Sequence, residues 1–145
     1  MFDQVSIIGC GLIGSSIFKG LKKAGSIKKI ITYDKDKAVT EIIKKDKLSD
    51  EIFNSADEAV KNSDLVIIAT PISSFESVLN SIKNNLKAGS ILTDTCSVKT
   101  GVGKILKKIN LKNSICIPGH PVAGIENSGP KAGIPDLFKN RWTIL

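Results

Sequence analysis

Residues 5–16 read VSIIGCGLIGSS, and this stretch decides the fold. A mostly apolar run leads into the motif Gly9-x-Gly11-x-x-Gly14, and apolar residues then recur at helical spacing as far as Leu21. A strand, a glycine turn and an amphipathic helix in this order are typical of a dinucleotide-binding βαβ unit. The stretch therefore predicts an α/β protein of the Rossmann type, with a doubly wound, mainly parallel sheet and helices on both faces.

Each glycine of the motif has its own physical role. Gly9 permits the tight turn, Gly11 lets the backbone approach a pyrophosphate, and Gly14 lets the helix pack closely on the strand. The first N–H groups of the helix, at Leu12 and Ile13, point towards the phosphates, and the helix dipole favours their negative charge. We expect all five residues to bind the cofactor.

The cofactor is expected to be NAD, with NADP less favoured. A second predicted strand, residues 28–33, ends at Asp34, about 20 residues beyond Gly14. A carboxylate there can accept both ribose hydroxyls of NAD and would repel the 2′-phosphate of NADP, although Lys35 and Lys37 could soften that discrimination. The alternative is that Asp34 is a solvated turn residue.

Chain length and net charge limit the functions that this protein can have. Residues 1–145 are predicted to form a single dinucleotide-binding domain. The net charge of +7 raises the question of nucleic acid, but all but one of the 21 basic residues are lysines, scattered mostly over predicted helix faces. With few aromatic residues to stack on bases, the chain is not expected to bind nucleic acid.

The three cysteines point to a reducing compartment. Cys10, Cys96 and Cys116 form no CxxC pair and are odd in number, which predicts reduced thiols in a cytoplasmic protein and argues against a disulfide framework or a metal site. The sequence shows neither an apolar run as long as a membrane span nor a signal peptide, so no membrane partner is expected.

Strand-like and helix-like segments alternate along the chain. Two capping-box patterns, Ser55-x-x-Glu58 and Ser73-x-x-Glu76, predict helix starts. Further strands are predicted at 51–53, 64–71, 90–94, 114–117 and 142–145, and helices up to about 45 and over 55–62, 73–88, 99–109 and 135–138.

Ligands in such sheets lie beyond the carboxyl ends of the strands. Thr70 and Pro71, at the end of the fourth predicted strand, are therefore expected to contact the cofactor. His120, the sole histidine, follows the sixth strand and could accept a proton from a substrate hydroxyl, or it could be a structural residue of its loop. Ser97 could orient that imidazole or touch the same hydroxyl, and it could also cap the helix that starts at Lys99.

Two further motifs carry a family resemblance. Asp94-x-x-Ser97-Val98-Lys99, followed by GHPVAGIENSGP at residues 119–130, closely resembles the prephenate dehydrogenase family of tyrosine biosynthesis. The resemblance extends from Val5 to Leu145. The histidine-containing motif is specific to that family, whereas many dehydrogenases share the glycine motif.

The resemblance implies an NAD(P)-dependent oxidoreductase that oxidatively decarboxylates prephenate or arogenate. The residue matching His120 bonds the ring hydroxyl of the substrate and takes its proton as hydride leaves for the nicotinamide. The serine matching Ser97 bonds the histidine, the substrate or the cofactor. The glutamate matching Glu126 lies at the substrate entrance. These three positions are thus the expected substrate-binding residues, with His120 and Ser97 catalytic.

The chain departs from the family pattern in two respects. Ile125 stands where the family usually has Ser or Thr. Family members also continue into a helical domain that forms the dimer and supplies an arginine for the substrate carboxylate. Arg141, the lone arginine, adjoins a predicted strand and is a poor substitute. We therefore expect a homodimer only with that domain and an inactive isolated chain.

Two other functions compete with this interpretation. A non-catalytic NAD-binding module would keep the glycine motif and Asp34 but would not need Ser97 and His120 together. Another small-acid dehydrogenase, of the β-hydroxyacid or pyrroline-carboxylate type, would share the glycine motif but not the run at residues 119–130.

Overall fold

The computed structural model describes residues 2–112 and 114–145. The strands are β1 (Gln4–Ile8), β2 (Lys29–Tyr33), β3 (Glu51–Ile52), β4 (Leu65–Ile68), β5 (Ile91–Asp94), β6 (Ile115–Ile117), β7 (His120–Pro121) and β8 (Thr143–Ile144). The helices are α1 (Leu12–Ala24), α2 (Lys37–Lys45), α3 (Ala56–Ala59), α4 (Ile72–Ile82) and α5 (Lys99–Leu106), with a 3₁₀ turn at Pro130–Ala132.

Six strands form one parallel sheet in the order β3-β2-β1-β4-β5-β6. The chain winds outwards from β1 to β3 and then returns to place β4 on the other side of β1. This reversal opens a crevice at the carboxyl ends of β1 and β4, where doubly wound folds bind their ligands. The predicted Rossmann-type sheet is confirmed.

Both faces of the sheet are covered, which explains the continuous apolar runs of the central strands. Val5 and Ile7 of β1 pack with Phe18 of α1 on one face. Ile8 of the same strand packs on the opposite face, in a cluster with Phe75 and other residues of α3, α4 and α5. The alternation of side chains along β1 therefore joins two cores, and helices lie on both faces as predicted.

An aspartate ties the strands together at their amino ends. Asp64, just before β4, accepts hydrogen bonds from the backbone N–H groups of Asp3 (2.7 Å) and Gln4 (3.1 Å) at the start of β1. Lys87 Nζ lies 2.5 Å from the same carboxylate. The hydrogen bond from Lys87, followed by the two backbone N–H groups, lowers the pKa of Asp64 to about 2.

The segment after β7 folds back onto α1. Lys19 Nζ donates to the carbonyl of Gly133 (2.8 Å), and Ile134 N–H donates to Ser16 Oγ (2.9 Å). A Cβ on Gly133 would lie 2.3 Å from Ser15 Oγ, so only glycine fits there. The predicted helix at 135–138 is wrong, because residues 133 and 134 bond to side chains of α1 and residues 135–140 then form successive turns.

Other boundaries also differ from the sequence predictions. Helix α4 begins at Ile72 with Pro71 in the N-cap position, so the capping box at Ser73 is wrong. Pro71 has φ of −56° and ψ of 150°, and this extended conformation lets the helix start immediately after it. The N-cap of α5 is Val98 and not Ser97. The predicted final strand exists as β8, but it pairs antiparallel with β7 outside the main sheet.

The fully buried Phe18 should be essential for joining α1 to the sheet. Phe18→Ala leaves a cavity and should lower the free energy of unfolding by about 3–5 kcal/mol in urea denaturation followed by circular dichroism. Trp142→Ala is the control, since Trp142 is 84% exposed, and it should change that free energy by less than about 0.5 kcal/mol. Equal effects of the two substitutions would contradict the packing described here.

Candidate functional site

A cleft of about 770 Å³ lies at the carboxyl ends of β1, β2, β4 and β5. The loops that follow these strands line it, together with one side of α4. Eight of the residues predicted to bind the cofactor line this cleft, namely Gly9, Gly11, Leu12, Ile13, Asp34, Thr70, Pro71 and Ser97.

The glycine turn forms the floor of the cleft. Gly9 has φ of +94°, a conformation that favours glycine, and its N–H donates to Tyr33 O at 2.8 Å. A Cβ on Gly14 would lie 1.9 Å from the carbonyl oxygen of Gly9, so Gly14 lies beneath the turn and lets α1 approach β1. A Cβ on Gly11 would meet no described atom within 4 Å and would project into open space.

The start of α1 is suited to an anion. Gly11 is its N-cap, and within the described chain no side chain caps this end and no acidic residue lies in the first turn. The helix dipole is therefore not compensated locally, and the N–H groups at Leu12 and Ile13 face the cleft end of the helix. The hydroxyl of Thr70, which also lines the cleft, is buried and has no partner among the described residues.

The carboxylate of Asp34 is held against the glycine turn. Its Oδ2 accepts from Cys10 N–H (2.7 Å) and its Oδ1 accepts from Asp36 N–H (2.9 Å). Each carboxylate oxygen can accept a second hydrogen bond, so the group can still receive donors from a ligand. Asp34 is thus both a turn residue and a cleft residue. Lys35 lines the same region.

The cysteines are free thiols. Burial, and then the charge of Asp34, raises the pKa of Cys10 far above its ordinary value. Burial, followed by the charge of Asp94, raises the pKa of Cys96 to about 11 and that of Cys116 to about 11. Thiols with such pKa values stay protonated near neutral pH, so these cysteines act as packing residues and not as nucleophiles.

Asp94, the first residue of the Asp94-x-x-Ser97-Val98-Lys99 motif, stabilises its own turn and also joins two loops. Asp94 is 2% exposed at the end of β5, and its Oδ1 accepts from Cys96 N–H (2.9 Å) within its own turn. The same oxygen accepts from Lys99 Nζ, and Oδ2 accepts from the N–H of Gly119 at 3.3 Å. Lys99 Nζ also donates to the carbonyl of Gly119 at 2.7 Å. Two loops are therefore joined by one ion pair, whose carboxylate is buried and whose lysine is partly exposed.

The three expected substrate residues lie in different surroundings. Ser97 is exposed at the rim of the cleft, and Glu126 is exposed in the loop after β7. His120 is half-buried in β7 and lines a second hollow of about 410 Å³. Arg141 lines that hollow as well, which its place in the sequence did not suggest. The structure brings Ser97 into the cleft and leaves His120 one residue from the Asp94 hydrogen bonds.

Across residues 2–112 and 114–145, no helix has the length and apolar character needed to cross a membrane. In the same ranges, no three His, Cys, Asp or Glu side chains are grouped as metal ligands would be.

A family model described as the nucleotide-binding domain of prephenate dehydrogenase matches residues 17–145. The chain belongs to the prephenate dehydrogenase family. The matched range begins within α1 and contains every later element, and the glycine turn lies just before it. The family model describes a nucleotide-binding domain, and the cleft lies where doubly wound folds bind their ligands.

Named relatives agree with this assignment. The chain is 37% identical over its whole length to a cyclohexadienyl dehydrogenase from Zymomonas mobilis, of which it covers 49%. It is 35% identical to a prephenate dehydrogenase from Lactococcus lactis, with 98% of the chain and 40% of the relative covered. The chain thus spans half or less of the length of these relatives.

Solved structures of the family share the fold. An arogenate dehydrogenase from Synechocystis superposes with a TM-score of 0.85 at 25% identity, covering 97% of this chain and 48% of that one. A prephenate dehydrogenase from A. aeolicus, in complex with hydroxyphenyl propionate and NAD⁺, gives a TM-score of 0.78 at 23% identity. It covers 99% of this chain and 50% of its own.

Two glycine substitutions should separate packing from ligand access. In Gly14→Ala the new methyl group meets the carbonyl of Gly9, and the free energy of unfolding should fall by about 1–3 kcal/mol. In Gly11→Ala the methyl group meets open space, so stability should change by less than about 0.5 kcal/mol. It would, however, keep a pyrophosphate from the backbone and weaken dinucleotide binding at least about tenfold by calorimetry. If Gly11→Ala lowered the free energy of unfolding and Gly14→Ala did not, the assignment of packing to Gly14 and of ligand access to Gly11 would be wrong.

Proposed function

We propose that the chain is the NAD-binding half of a prephenate or arogenate dehydrogenase, an oxidoreductase that oxidatively decarboxylates its substrate in tyrosine biosynthesis. The observation that supports this most is the single cleft that gathers the glycine turn, the Asp34 carboxylate and Ser97 in a chain of this family. The loop carrying His120 is bonded to the loop carrying Ser97 through Asp94 and Lys99.

The residues of the cleft fit a dinucleotide. Gly11 leaves space for a pyrophosphate, the uncompensated start of α1 favours its charge, and the hydroxyl of Thr70 has a hydrogen bond to give. Asp34 can accept the ribose hydroxyls of NAD, which makes NADP the less favoured cofactor. When bound, the nicotinamide supplies the hydride acceptor, and the protein supplies orientation and a base.

His120 is the proposed base. Its imidazole would accept the proton of the substrate ring hydroxyl, and Ser97 would orient the imidazole or bond the substrate or cofactor. Glu126 would shape the substrate entrance. Loss of carbon dioxide then makes the ring aromatic, which drives the reaction.

The chain covers 49% and 40% of the lengths of the two relatives described above. We assign the homodimer contact, and the arginine that holds the substrate carboxylate, to the helical half of such a longer protein. The free thiols support a cytoplasmic location.

Cofactor choice can be tested on the chain itself. By calorimetric titration, NAD should bind more tightly than NADP. Asp34→Ser removes the acceptor for the ribose hydroxyls and should weaken NAD binding roughly 10- to 100-fold. The difference in affinity between NAD and NADP should become smaller. Asp36→Ser is the control, because Asp36 caps α2 through Ala38 N–H (2.8 Å) and does not line the cleft. Equal affinity of the unaltered chain for both cofactors would remove Asp34 from this role.

Activity should require the helical half. The chain alone should bind NAD but oxidise prephenate and arogenate negligibly, because a poorly oriented substrate loses about a hundredfold or more in rate. Joining the helical half of a relative, or adding it in trans, should restore turnover.

In the restored enzyme, His120→Asn should lower kcat by about 10²–10⁴ and leave NAD affinity nearly unchanged. Ordinary turnover by the chain alone would refute the need for the helical half. Full activity of the His120→Asn enzyme would refute the base assignment.

A further inference from the structure

We propose that Asp94 and Lys99 are positioning residues, which together set the place of His120 relative to Ser97. This inference rests on the proposed function, because it concerns the two residues assigned there to the reaction. We call the ion pair and its bonds to Gly119 the clamp. Neither Asp94 nor Lys99 is required to touch the substrate or the cofactor for the clamp to act.

The clamp holds both polar groups of Gly119. Its N–H donates to Asp94 Oδ2 (3.3 Å), and its carbonyl accepts from Lys99 Nζ (2.7 Å). The carbonyl of Gly119 and the N–H of His120 belong to the same planar peptide unit, so a bond that fixes one fixes the plane of the other. The clamp therefore determines how the chain enters His120.

The same pair closes the loop that carries Ser97. Asp94 ends β5 and Lys99 begins α5, so their contact spans residues 95–98. Asp94 Oδ1 also accepts from Cys96 N–H at 2.9 Å, which fixes the turn one residue before Ser97. One carboxylate thus sets the geometry of both loops.

A role in stability alone would not require this pair. Asp94 is 2% exposed, and buried ion pairs can often be replaced by apolar residues without loss of stability. What charged partners add is direction, because each hydrogen bond fixes an angle as well as a distance. The loop is tight as well, since a Cβ on Gly119 would lie 3.1 Å from the carbonyl oxygen of Asp94.

The backbone at and after His120 is held by contacts that do not involve the clamp. Strand β7 pairs with β8, with His120 opposite Ile144, and Val122 N–H donates to Trp142 O at 2.8 Å. The clamp fixes the backbone before His120, and β8 fixes the backbone from His120 onwards. Loss of the clamp should therefore shift the histidine locally and leave β7 and β8 paired.

The single histidine gives a clean test. The imidazole signals of His120 are unique in the NMR spectrum of the chain, and amide hydrogen exchange reports on Gly119 and His120 separately. In Lys99→Met, we expect the imidazole signals to move and exchange at these two amides to speed up at least about tenfold. Lys99→Arg keeps a cation with several donors and should retain most of the original spectrum.

The matched control is Lys87→Met. It breaks a similar but more exposed pair with Asp64, which likewise holds two backbone N–H groups, at the opposite ends of the strands. It should destabilise the chain without moving the signals of His120. If Lys99→Met does not fold, the double variant Asp94→Asn/Lys99→Met leaves no unpaired buried charge and should show the same changes at His120.

The effect on catalysis can be measured in the restored enzyme, in which the chain is combined with the helical half of a relative. Lys99→Met should lower kcat about a hundredfold and change NAD affinity less than about threefold, because the glycine turn and Asp34 are untouched. Unmoved His120 signals and an unchanged kcat in a destabilised Lys99→Met protein would overturn the proposal. The NMR measurement needs neither cofactor nor substrate, so failure of the proposed activity would be recognised separately.

Discussion

The approach of Gly14 to the carbonyl of Gly9 is the constraint on which the rest of the structure depends. There is no room for a side chain at this point, so α1 lies against the end of β1 and its first turn opens directly into the cleft. Phe18, one turn further along the helix, then reaches the buried face of the sheet. The packing that stabilises the domain and the opening that admits a nucleotide are consequences of the same contact.

At each end of the sheet, an aspartate accepts hydrogen bonds from two backbone N–H groups and pairs with a lysine. At the amino ends of the strands, Asp64 collects two backbone N–H groups and Lys87. At the carboxyl ends, Asp94 collects the N–H groups of Cys96 and Gly119 together with Lys99. The first carboxylate is partly exposed and joins strands. The second is buried and joins loops at the carboxyl ends of the strands, where the cleft lies.

Much of this arrangement could be predicted because its signals are local. The glycine spacing, the apolar strands and the position of Asp34 each depend on a few neighbouring residues, and they placed the sheet and most of the cleft. The signals that failed depend on distant partners. Residues 135–138 resemble a helix in isolation, but the segment before them bonds to Ser16 and Lys19. Asp94 looks like a turn residue until Gly119 is brought beside it.

The covering of α1 by the segment around Gly133 has a consequence for folding during synthesis. Lys19 and the carbonyl of Gly133 are 114 positions apart in the chain. On the ribosome, β1 and α1 emerge before residues 130–136, so the outer side of that helix stays open until this later segment has left the exit tunnel. Contacts between such distant residues form slowly, because a long loop must close before they are made. The glycine turn is therefore made well before the segment that encloses its supporting helix.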